Sequence, residues 1–153
     1  MKKIALLVLA MAVVVAGMSF AQAKPDFSGK WAPKVDANAA PPAGGGARGG
    51  MGGGPMTIKQ TATELTQEVV RGENTMTTIY KLDGTETVNK TQRGESKSIA
   101  KFDGAKLVIK TVSEGPNGAM ETTATWSLSA DGKELTIVRT TQRGDMTMVY
   151  TKQ

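Results

Sequence analysis

The sequence predicts an all-β fold, an antiparallel up-and-down meander that closes into a barrel of about 8–10 strands. Three observations predict it. Beyond Pro55, turn residues recur at Gly72, Gly84, Gly94, Gly104, Gly115 or Gly118, Gly132 and Gly144, mostly 10 to 14 residues apart, which is the rhythm of consecutive hairpins. Between these turns apolar and polar residues alternate with period two rather than 3.6. All 19 threonines fall between Thr57 and Thr151, and the branched Cβ of threonine packs well on a pleated surface.

The N-terminus precedes this region and has a different character. Met1-Lys2-Lys3, the apolar run from Ile4 to Gly17, and Ala21-Gln22-Ala23 read as the basic head, apolar centre and small-x-small cleavage site of a signal-peptide helix. The run is shorter than the roughly 20 apolar residues a spanning helix needs. The expectation is cleavage after Ala23, a periplasmic or secreted location, and no stable membrane insertion after cleavage. Residues 24–153 then form a single domain.

A first strand is expected over 27–34. Residues 35–55 follow, with Pro41-Pro42 and eight glycines between Gly44 and Gly54; a segment with no periodicity and so much backbone entropy to lose is expected to be a flexible loop. Further strands are expected over 56–61, 64–71, 74–82, 86–92, 95–102, 106–113, 119–129, 133–142 and 145–152. Asp83-Gly84, Asp103-Gly104, Asn117-Gly118 and Asp131-Gly132 supply the positive φ of tight hairpin turns. Arg71-Gly72-Glu73, Arg93-Gly94-Glu95 and Arg143-Gly144-Asp145 form a second, Arg-Gly-acid series. Consecutive hairpins with one apolar face remove their exposed edges by closing on themselves. The outward positions are Thr, Lys, Glu and Ser, which suits a water-facing barrel and not one embedded in lipid.

Composition removes whole classes of function. The chain has no His and no Cys, so imidazole and thiolate metal sites, Ser-His and Cys-His nucleophilic pairs and disulfides are all excluded. No metal site and no cofactor is expected. Loss of residues 1–23 would leave 17 basic against 14 acidic residues, too mild a balance to suggest a nucleic-acid partner. It would also leave 42 apolar residues, 12 of them Ala, so about 30 larger side chains must build the core. Carboxylate pairs such as Glu64 with Glu68, or Asp131 with Glu134, lie at strand or turn spacings that do not force them together, and they read as solvated charges, not as an acid–base pair. A non-enzymatic, monomeric protein is expected. The triplet Arg143-Gly144-Asp145 belongs to the turn series and not to an adhesion motif. Asn89-Lys90-Thr91 fits a glycosylation acceptor, which the bacterial look of the export signal makes idle.

At the start of the mature chain stands Asp26-Phe27-Ser28-Gly29-Lys30-Trp31, and near its end Ala130-Asp131-Gly132-Lys133. A Gly-x-Trp on the first strand, then a long loop and a meander, resembles the opening of the lipocalin and wider calycin barrels. The pair of motifs more closely resembles exported bacterial lipocalin-like proteins that begin Asp-Phe-Ser-Gly-x-Trp. The resemblance implies a barrel whose closed end is plugged by the Trp under a basic side chain from the last strands. That places Gly29 and Trp31 at the barrel base, with Lys152 or Arg139 as the cation. It also implies that the first long loop lies over the open mouth.

An inward face carrying Met56, Met76, Met120, Met146 and Met148 with Tyr80, Trp126 and Tyr150 either lines an adaptable cavity or fills the interior. The first alternative makes the protein a non-catalytic binder of a small apolar or amphipathic ligand. The second makes it a solid interaction module that binds a protein or envelope polymer through the 44–54 loop and the turns at Arg71, Arg93 and Arg143.

Overall fold

The computed structural model describes residues 24–34, 54–91, 94–115, 118–142 and 144–153. The expected signal peptide, most of the 35–55 loop, and Arg93, Asn117 and Arg143 lie outside the described residues. Ten strands follow one another: β1 (Gly29–Pro33), β2 (Met56–Gln60), β3 (Glu64–Arg71), β4 (Asn74–Lys81), β5 (Glu86–Thr91), β6 (Gly94–Asp103), β7 (Lys106–Gly115), β8 (Gly118–Leu128), β9 (Glu134–Thr141) and β10 (Gly144–Lys152). They form one sheet in the order β4-β3-β2-β1-β10-β9-β8-β7-β6-β5. Each expected strand is present, within a few residues of its expected ends.

All neighbours in this sheet are antiparallel and consecutive in the chain except β1 and β10, which bring the two ends together with Trp31 opposite Lys152 and Pro33 opposite Tyr150. Gln153 N then donates to Lys30 O at 2.9 Å. This pairing rolls the meander into a barrel. The circuit is completed between β4 and β5 by side chains. The Asn89 carboxamide accepts from Ile79 N and donates to Ile79 O, each at 2.9 Å, and Thr87 Oγ1 accepts from Lys81 N at 3.1 Å. Asn89, the residue of the glycosylation triplet, is buried at this seam with its amide nitrogen committed to Ile79.

An up-and-down meander sends alternate turns to opposite ends. One end is the base, and the buried core sits there: Phe27, Trp31, Ile58, Leu65, Leu107 and Leu135 are all within 2% of fully buried. The first strand starts two residues later than expected because the preceding segment folds beneath the base instead of joining the ladder. Gln60 holds it there: its Oε1 accepts from Phe27 N at 3.0 Å and its Nε2 donates to Pro25 O at 2.9 Å. Phe27 O in turn accepts from Trp31 Nε1 at 2.9 Å. Lys152 Nζ stands 5.4 Å from the centre of the Trp31 ring. Gly29 permits that approach, since a Cβ there would meet Lys152 Cε at 2.7 Å and the backbone has φ of +144°.

Candidate functional site

Above the plug the strands splay around a cavity of about 280 Å³. Its floor is aromatic. Phe27 stacks on Phe102 at 6.4 Å between ring centres and meets Trp126 edge-on at 6.0 Å, and Trp126 meets Tyr80 edge-on at 6.3 Å. Trp126 and Tyr80 face the cavity while Phe27 lies wholly buried below.

The register decides what reaches the walls. On β8, Met120, Thr122, Ala124 and Trp126 point inward at alternate positions and all line the cavity. Met76, Thr78 and Tyr80 do so from β4, and Met148 and Tyr150 from β10. Six of the eight expected inner-face residues therefore border the cavity: Met76, Tyr80, Met120, Trp126, Met148 and Tyr150. Met56 does not. Opposite Trp31 on one side and Val69 on the other, it is 2% exposed and covered by Gln67, whose Nε2 donates to its sulfur at 3.2 Å. Met146 is 39% exposed and does not border the cavity, although it pairs with Arg139, which does.

Arg139 also departs from expectation. Of the two cations assigned to the base, Lys152 covers Trp31, whereas Arg139 lines the cavity. The cause is register: Arg139 pairs with Ala124 and Met146, about half a strand above the Leu135–Tyr150 pair at the plug. Burial pushes the Tyr80 phenol up to about 12, and the positive charge of Arg139 pulls against that rise. Tyr80 is thus a neutral hydrogen-bonding group at ordinary pH. The ion pairs among the described residues, Lys34–Glu134 at 2.6 Å and Lys59–Glu68 at 3.4 Å, lie on the outer surface, so neither neutralises Arg139.

One wall is hydroxylic. Ser98, Thr111 and Thr122 form a continuous rung across β6, β7 and β8, and Ser96 faces Ser113 on the next rung toward the mouth. All five line the cavity. Sequence reading missed this wall and Gln67, and placed Arg71 only in a turn, by following the large apolar side chains; period-two alternation, which puts Thr122 on the face of Trp126, was the available clue.

The carboxylates do not converge. Glu68 and Glu134 pair with surface lysines, and Asp131 caps a turn, accepting from Ser129 Oγ at 2.6 Å and Lys133 N at 3.1 Å. These bonds hold the Asp131 carboxyl below its usual range, as bonds from Thr85 do for Asp83 and from Ser28 for Asp26. Among the described residues no three Asp or Glu side chains cluster as metal ligands would.

No family model and no curated protein matches the sequence. Solved structures do match the fold. A REP1-NXSQ fatty acid transporter superposes with a TM-score of 0.63 at 15% identity, covering 83% of this chain and 96% of that one. A single-residue mutant of the fluorescent protein UnaG gives 0.60 at 21%, with 83% and 96% covered. Secretory abundant heat soluble protein 4 from Ramazzottius varieornatus gives 0.59 at 21%, with 83% and 94% covered. These likenesses show the fold alone, an up-and-down β-barrel of calycin-like architecture.

Proposed function

We propose that this chain is an exported, non-catalytic binding protein that takes a small amphipathic ligand with an anionic head into the cavity. The observation that carries the reading is Arg139, a guanidinium inside the barrel that makes no ion pair among the described residues. Arg139 is half-buried in the cavity wall, and a guanidinium there suits a carboxylate or phosphate. The Met76 and Met120 thioethers offer the ligand's apolar part an adaptable surface. The fatty acid transporter among the structural neighbours supports this reading. A cavity within the barrel favours it over a solid interaction module.

The test is direct. Protein purified from its own host and analysed by native mass spectrometry should carry a small anionic amphiphile. The stripped protein should bind an anilinonaphthalene sulfonate dye and release it to dodecanoate, with Arg139→Met weakening dodecanoate about tenfold or more, as loss of a charge-assisted contact implies. A protein that carries nothing and binds neither probe would overturn the reading.

A further inference from the structure

We infer that the cavity is built for an amphiphile bearing hydroxyl or carbonyl groups along its length, in preference to a plain saturated chain. The inference rests on the proposed function and specifies its ligand class. Its basis is the hydroxylic wall. Ser98, Thr111 and Thr122 stand side by side on three adjacent strands, and Ser96 and Ser113 extend the patch by one rung.

Hydroxyl bookkeeping gives the wall unused capacity. Each hydroxyl has one donor hydrogen and two acceptor lone pairs. Ser98 Oγ and Thr111 Oγ1 are 2.9 Å apart and share one hydrogen, which leaves the other hydroxyl hydrogen of that pair available. Thr122 and Ser113 make no side-chain hydrogen bond among the described residues. A saturated chain laid on this wall would strip the half-buried Thr111, Ser113 and Thr122 hydroxyls of water and return nothing, Ser98 being buried already. A ligand oxygen at the same place would replace the lost bonds, and a site built to hydrogen-bond a ligand group discriminates against the analogue lacking it.

The wall also has a fixed position relative to the proposed head site. Arg139, Ala124, Ile109 and Ala100 form the rung immediately below Thr122, Thr111 and Ser98. Same-face rungs lie two residues apart along a strand, roughly 7 Å. A ligand with its anion on Arg139 and its tail toward the mouth therefore passes the hydroxyls at mid-chain.

The experiment compares dodecanoate with its mid-chain hydroxy and mid-chain oxo analogues by calorimetry, on wild type, Ser98→Ala/Thr111→Val/Thr122→Val, and the milder Ser96→Ala/Ser113→Ala. The wild type should prefer the oxygenated analogues by about fivefold or more, as one or two net hydrogen bonds imply. The triple variant should lose that preference while still binding dodecanoate; if it does not fold, the double variant should reduce the preference. Equal or better binding of dodecanoate by the wild type overturns the hydroxyl inference and leaves the amphiphile reading intact. Failure of all three ligands to bind overturns both.

Discussion

Asn89 grips the peptide unit of Ile79 on both sides, accepting from its N–H and donating to its carbonyl at 2.9 Å each. A carboxamide presents one donor and one acceptor side by side, as a backbone peptide does. One side chain thus stands in for a step of β-ladder at the only place where the described strands are not joined by one.

Replacement of Asn89 should therefore loosen a seam without emptying the core. Asn89→Ala leaves the Ile79 N–H and C=O to find water and should cost about 1–3 kcal/mol, the penalty of orphaned polar groups. Hydrogen exchange should show the Ile79 amide losing protection while Leu107 and Leu135 keep theirs. Unchanged protection at Ile79 would contradict the role given to the clasp.

At the base, Gly29 and Lys152 should be coupled. Gly29→Ala places a methyl 2.7 Å from Lys152 Cε at a φ of +144°, and should destabilise by about 1–3 kcal/mol. Lys152→Ala alone removes the cation over Trp31 and should cost about 0.5–1 kcal/mol. The double variant should lose less than the sum, because removal of the lysine stem relieves the clash but not the backbone strain. Strict additivity in a denaturant-melting cycle would show that the contact does not constrain Gly29.

Alkaline titration should pick out Tyr80. The Tyr80 phenol is raised from 10.0 to about 12 by burial. A folded-state value above the unfolded one means the native state holds this proton more tightly. The stability it contributes is fully present below pH 10 and is lost as pH rises from 10 toward 12. Absorbance at the phenolate band should show a late-titrating group that Tyr80→Phe removes, together with a flatter stability curve over the same window.

Fluorescence should locate the ligand. Both tryptophans are buried, but Trp126 borders the cavity and Trp31 does not. A bound chromophoric ligand should change the emission of the wild type, and Trp126→Phe should abolish most of that change. A Trp126→Phe protein that responds as the wild type does would move the ligand away from the floor.

The fold was highly legible because each strand announces itself locally. Period-two alternation sets the faces, and Asp-Gly or Arg-Gly pairs set the turns. The site was less so. Met76, Met120 and Met148 reach the cavity because their spacing follows the same alternation, but whether an inward residue lines space or fills it depends on height in the barrel. Height is a matter of register between strands, and a single strand does not encode it. That is why Met56 is sealed beneath Gln67, and Arg139 is in the cavity and not beside Trp31. The Asn89 clasp was illegible for the same reason: nothing in residues 86–91 tells that β4 is the neighbour lacking a ladder.

The pairing of β1 with β10 also governs how freely the chain can be rewired. Since Lys30 and Gln153 are hydrogen-bonded neighbours, a linker from residue 153 to the segment ahead of β1 would join ends that already meet in the sheet, and new termini at Gly72 would fall in an exposed turn with open space around it. Such a circular permutant keeps every strand pairing and makes the β1–β10 contact local in sequence, which lowers its loop-closure entropy. The same change makes the tight β3–β4 hairpin the most distant pairing in the chain. The order in which this barrel zips shut is therefore a property of where its covalent break happens to lie, while the barrel itself is not.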